Sequence, residues 1–242
     1  MRNTWLTAAF YTAVLVMFFV FIGGPFVMGA FARDIARLPE PLIFLVSVIP
    51  HQTLMMCSVL APLLIFGASM GFAGGLKAEW RPGWTHLAVT AAVFAVVFPL
   101  VSVVTLVFGE LLKLFHISFA PPPLPLIVMK CKPLSLAVLL FGVIVLAPVS
   151  EELVFRRVIY GWLASRTGGV VALFLTAAMF AAVHQSLVQF PGLFILGVAL
   201  QLLYINYDSI WPPVIFHAAQ NSLSMLILLL FRIAGIELPP KF

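Results

Sequence analysis

"LSLAVLLFGVIVLA" (134–147) carries no polar side chain larger than serine, and it leads straight into "PVSEELVFRR" (148–157), where two carboxylates stand beside two guanidiniums. A charged side chain at the centre of a membrane helix costs roughly 2.5–3.5 kcal/mol even on a lenient scale, so charges at the end of an apolar span are functional candidates by default. The rest of the chain makes the apolar reading general. Of its 242 residues 63% are hydrophobic and 9% charged, far from the composition of a soluble domain. Apolar stretches long enough to cross a hydrocarbon core recur from end to end. The expected fold class is therefore all-α, a polytopic membrane helix bundle of about seven or eight transmembrane segments with a polar intramembrane cavity.

The spans fall near 5–30, 42–75, 87–108, 134–149, 169–185, 191–204 and 212–231. The first exceeds the length of a signal-peptide core and reads as a retained helix. Pro50, His51 and Gln52 interrupt the second, which is either a kinked helix or a re-entrant piece followed by a span. Between the halves, "ELLKLFHISFAPPPLPLIVMKCKP" (110–133) mixes charge, leucine and proline and suits a segment lying along the headgroups. The chain thus reads as one membrane domain, with N-terminal helices and the proline-rich segment over 1–133 and a helical core over 134–234. Basic residues in the loops balance too evenly to set an orientation. The net charge of +5 is spread singly or in pairs between spans, which suits anionic lipid headgroups and not nucleic acid. Cys57 and Cys131 are too few for a disulfide framework or a cysteine metal site.

Chemistry concentrates in three places. If the helix entering at Leu134 continues past Pro148, Glu152 lies one turn before Arg156 in the preferred order for an ion pair. Glu151 then points about 100° away, toward a neighbouring helix or a polar cavity, and is the candidate base. The plainer reading, that both glutamates mark a solvated helix end, stays open. In "TAAMFAAVHQS" (176–186), Phe180 and His184 share a face among small residues that allow close helix approach, and the histidine is either a catalytic group or a hydrogen-bonded packing residue. In "WPPVIFHAAQN" (211–221), His217 and Asn221 share a face and either donate together to an oxyanion or bridge two helices. Together they supply a base, an imidazole and a pair of donors, the parts needed to hydrolyse a carbonyl.

These three elements resemble the motifs EExxxR, FxxxH and HxxxN/D of the CPBP family, the CAAX proteases and bacteriocin-processing enzymes also called Abi. "EELVFR" (151–156), "FAAVH" (180–184) and "HAAQN" (217–221) match in order and rough spacing, over 134–231. The resemblance implies a glutamic intramembrane endopeptidase acting on a membrane-associated protein or peptide in the lipid bilayer of a prokaryotic cell. By position it implies Glu151 as the residue that activates water, His184 as its assistant, and His217 with Asn221 as the oxyanion hole. Glu152, Arg156 and Phe180 look like supports. Arg157 stands where many members have a small residue, often glycine.

Three other readings compete. Glu151, His184 and His217 could ligate zinc with one position left for water, but no HExxH helix is present and Asn221 suits an oxyanion better; no cofactor is expected. "GASMG" (67–71) matches G-x-S-x-G, yet that motif needs a strand-to-helix elbow and this one lies in an apolar helical stretch. A non-catalytic scaffold or transporter of the same fold could also carry buried histidines and glutamates.

Overall fold

The computed structural model describes residues 4–19, 37–66, 77, 83–119 and 122–236, and among these residues the protein is helical without a strand. Eight helices follow in order: α1 (Thr4–Phe18), α2 (Glu40–Phe66), α3 (Trp84–Leu114), α4 (Pro123–Lys130), α5 (Pro133–Thr167), α6 (Gly169–Val183), α7 (Phe190–Tyr207) and α8 (Trp211–Ile233). Four of them, α3, α5, α7 and α8, are long and apolar enough to cross a membrane, while α1, α6 and the Pro50–Phe66 part of α2 are apolar but shorter. The outer surface is correspondingly apolar. On α3, Val96, Val103 and Leu106 are exposed over more than half their area, as expected where lipid replaces water as the solvent. This is an integral membrane protein. The remainder of the first span, most of the charged connections at 33–40 and 77–84, and "GASMG" at 67–71 lie outside the described residues.

Local chemistry sets the helix ends. Proline occupies the first turn of α5, α7 and α8, where its missing N–H costs nothing. Gly168 sits between α5 and α6 with φ of 83°, a conformation that a side chain would strain, so the chain reverses there in one residue.

The charges of 151–157 lie well inside a helix, as the reading of a helix continuing past Pro148 expects and the alternative of a solvated helix end does not. α5 runs unbroken through Pro148 to Thr167, and it does so by widening. Over Gly142–Leu146 the turns open, and the Ala147 N–H bonds the Gly142 carbonyl, five residues back. The carbonyl of Val143 would then need the N–H of residue 148, which proline lacks. A second wide stretch, Leu153–Tyr160, follows the glutamates. Such stretches concentrate at functional sites because they re-aim side chains without ending the helix.

Packing surrounds α5. Trp5, Ala9, Ala13 and Met17 recur every fourth residue on the buried face of α1, and Met55, Val59 and Leu63 do the same on α2; α1 packs on α2, and both pack on α5. Trp5 also covers Arg157, whose guanidinium lies 4.8 Å from its ring. On the other side α6, α7 and α8 close the bundle, with α3 behind α7. Glycines on α7 permit this. A methyl group at Gly197 would come within 3.0 Å of the Ala177 backbone on α6, and one at Gly192 within 3.0 Å of the Val101 carbonyl on α3.

Gly197→Val should therefore push α7 away from α6 and cost on the order of 1–3 kcal/mol, read as a lowered Tm in detergent. Gly169→Ala, whose new methyl would meet only the Tyr160 hydroxyl at 3.4 Å, should leave Tm nearly unchanged.

Candidate active site

The glutamate pair stands between the two wide stretches of α5, and the two carboxylates meet different surroundings. Glu152 is fully buried. Its Oε2 accepts from Arg156 Nε at 2.6 Å, one turn on, as the spacing predicts. Its Oε1 lies 2.9 Å from His217 Nδ1 on α8. Because the Glu152 carboxylate paired with Arg156 can only accept, His217 donates from Nδ1 and keeps Nε2 for something else. Arg156, also fully buried, donates from Nη1 to the Gly197 carbonyl on α7 at 3.2 Å. One carboxylate thus ties α5 to α8, and its cation ties α5 to α7.

Glu151 is 19% exposed, and its Oε2 is buried without a hydrogen-bond partner. His217 Nε2 is 3.9 Å from that oxygen, too far for a hydrogen bond and close enough for one atom of a reactant to approach both. The sequence expectation that Glu152 pairs with Arg156 while Glu151 points away toward a neighbouring helix or a cavity agrees with this geometry.

Phe180 is the hub of the remaining contacts. Its ring is fully buried and meets Phe155 at 5.3 Å, His184 at 5.0 Å and His217 at 5.7 Å between centroids. The Arg156 guanidinium lies 5.0 Å over the same ring, a cation–π contact that fills the space beneath a buried charge. His184 ends α6 on the exposed side of the ring. Its Nδ1 donates to the Phe180 carbonyl at 2.7 Å, because a carbonyl can only accept. The free Nε2 of His184 is therefore the atom that can take a proton.

Asn221 lies one turn beyond His217 on α8. Its Nδ2 donates at 2.8 Å to the Val143 carbonyl, the group that Pro148 leaves unpaired. The structure thus brings Glu151, Glu152, Arg156, Phe180 and His217 together, sets His184 across the Phe180 ring, and commits one amide hydrogen of Asn221 to α5, leaving its second. Among the described residues no three His, Cys, Asp or Glu side chains are grouped as metal ligands, the Glu151, His184 and His217 set included.

Sequence reading missed the contribution of α2. The Ser150 hydroxyl, next to Glu151, donates to the side-chain carbonyl of the buried Gln52. The signal was present as a polar pair, His51 and Gln52, inside an apolar stretch, and it was read only as an interruption.

Residues 133–223 match the Type II CAAX prenyl endopeptidase Rce1-like family. That segment contains every motif residue named above. A stretch of 102 residues is 29% identical to the membrane-embedded CAAX protease MroQ of Staphylococcus aureus (strain USA300), covering 40% of this chain and 41% of that protein. Another of 83 residues is 27% identical to YdiL of Bacillus subtilis (strain 168), provisionally named a membrane peptidase, and covers 34% of each chain. The matched stretches thus span well under half the length of either relative. No solved structure matches the chain.

Two stability predictions follow from the bonding. Glu152→Gln leaves Arg156 buried without its counter-charge and should cost roughly 3–5 kcal/mol, whereas Glu151→Gln, which breaks no hydrogen bond of the buried Oε2 and only the 3.9 Å contact to His217, should keep Tm much closer to that of the unaltered protein. Asn221→Ala orphans the Val143 carbonyl and should cost about 1–3 kcal/mol. Adding Pro148→Ala supplies the missing N–H and should return part of that loss in thermal unfolding.

Proposed function

We propose that this protein is an intramembrane endopeptidase, hydrolysing a peptide bond near the terminus of a membrane-associated protein or peptide. The observation that carries the reading is the Glu151 carboxylate oxygen, buried and free of hydrogen bonds, 3.9 Å from an imidazole nitrogen whose ring is fixed by a second glutamate. Glu151 takes a proton from a water molecule, and the hydroxide attacks the scissile carbonyl. His184, with Nδ1 anchored on its own helix and Nε2 free, assists the proton transfer. Negative charge on the tetrahedral intermediate faces Nε2 of His217, which must carry a proton to donate, and the second amide hydrogen of Asn221; the C–N bond then breaks as the intermediate collapses, and the leaving amine takes the proton that Glu151 accepted from water. The family match and the likeness to the membrane-embedded CAAX protease MroQ support a protease acting at the membrane. Lipid and a membrane-associated substrate are its natural partners.

We propose further that the reaction needs no metal. His217 spends one ring nitrogen on Glu152, and the remaining nitrogen beside Asn221 suits an oxyanion. A non-catalytic scaffold or transporter built on the same fold is the contrary reading, and cleavage itself separates the two.

With a membrane-peptide library as substrate, the unaltered protein should cut and Glu151→Gln should not; equal turnover by both would remove the enzyme reading. His217→Ala should lower kcat about 10²- to 10³-fold with little change in KM. Turnover should survive a strong chelator, and a loss reversed by added zinc would instead assign Glu151, His184 and His217 as ligands.

A further inference from the structure

His51 and Gln52 sit on α2, in the half of the chain that the family match does not reach. Gln52 is buried and accepts from the hydroxyl of Ser150. That bond fixes the register of α2 against α5 at the residue preceding Glu151. One position earlier on α2, the half-buried His51 lies within the electrostatic reach of the Glu151 carboxylate. Oε2 of that carboxylate is buried without a hydrogen-bond partner and has the His217 imidazole 3.9 Å away on the far helix. A buried carboxylate oxygen left unpaired is costly and uncommon, and such atoms in native proteins mark working groups or groups that pair during the reaction.

We infer that His51 is a positioning residue for Glu151, so that the working carboxylate is held between an imidazole from α2 and an imidazole from α8. The inference rests on the proposed role of Glu151 and extends it. The first half of the chain then contributes to the site directly, and its helices do more than support the matched segment. The packing explains why position 51 can do this. The Ser150–Gln52 bond allows α2 no slide along α5 without breaking a buried polar contact, so the spacing between His51 and Glu151, each one residue from that bond, is fixed. An imidazole suits the task because it can donate from either ring nitrogen while remaining neutral or charged.

The pairing can be read without any activity. In histidine-labelled full-length protein in detergent, Glu151→Gln should move the ring resonances of His51 and leave those of the exposed His86 and His116 in place; resonances of His51 that ignore Glu151→Gln overturn the pairing. Assignment comes from loss of the His51 signals in His51→Gln. The positioning role is read in the kinetics of any library peptide that the unaltered protein cuts. His51→Leu should lower kcat at least tenfold while KM stays within about twofold. His51→Gln, which keeps an N–H donor, should regain part of the loss, a recovery that a purely structural role would not produce. In the Glu151→Gln background, His51→Leu should have no further effect on residual turnover. Unchanged kcat in a folded His51→Leu variant overturns the role. A failure of the unaltered protein to cut anything overturns the proposed protease and leaves the spectra alone to decide the pairing.

Discussion

A single carboxylate organises this bundle. Glu152 is removed from solvent, and both of its oxygens are taken, one by Arg156 on the same helix and one by His217 on α8. A buried charge is tolerable only when paired and hydrogen-bonded, because its desolvation otherwise exceeds what the ion pair returns. Arg156 in turn spends a guanidinium nitrogen on the Gly197 carbonyl of α7, and its flat face covers Phe180 of α6. Four helices are therefore referred to one charge cluster, and none of α6, α7 and α8 can shift against α5 without breaking a buried contact to it. The close approach of α6 and α7 is part of the same arrangement, since only a glycine at 197 brings the carbonyl near enough while Ala177 lies against it.

The second constraint is a backbone one. Pro148 denies Val143 its hydrogen bond within α5, and the wide turn over Gly142–Leu146 carries the helix past the gap. Asn221 fills the gap from α8. α8 thus touches α5 at two heights, at Glu152 through His217 and at Val143 through Asn221, which fixes an antiparallel register for the two helices. The HxxxN spacing has a structural consequence here besides any catalytic one: a side chain with two amide hydrogens can hold the backbone with one and still present the other. Between the two wide stretches the carboxylates meet different environments, one with both oxygens hydrogen-bonded and one with a buried oxygen that accepts no hydrogen bond. That division suits the general base proposed for Glu151, since a carboxylate held in an ion pair has its lone pairs occupied.

Around this centre the N-terminal helices are a tight sheath. Alanines at 9 and 13 bring α1 close to α2, and Trp5 lies over Arg157. At the sequence level Arg157 was an oddity, a bulky cation where a small residue is usual in the resembling family. In the fold its charge faces an indole ring, so the N-terminal helix supplies part of the cover for this cation.

Composition and spacing by themselves determined that the chain is helical and membrane-embedded, because hydrocarbon admits only segments that satisfy their own backbone, and a helix does so locally. Spacing along one helix likewise paired Glu152 with Arg156 and left Glu151 without a cation on its own helix, since residues four apart share a face whatever lies around them. Contacts between helices were beyond its reach. That His217 would choose Glu152, that Asn221 would answer for Pro148, and that Gln52 would bond Ser150 across about a hundred residues are tertiary facts. A polar residue in an apolar run announces that it needs a partner, but its identity depends on how helices stack and which small residues let them approach. The same limit applied to the number of membrane crossings: hydropathy located the apolar segments, and only the folded chain decided where each helix begins and ends, as the extension of α5 through Pro148 demonstrates.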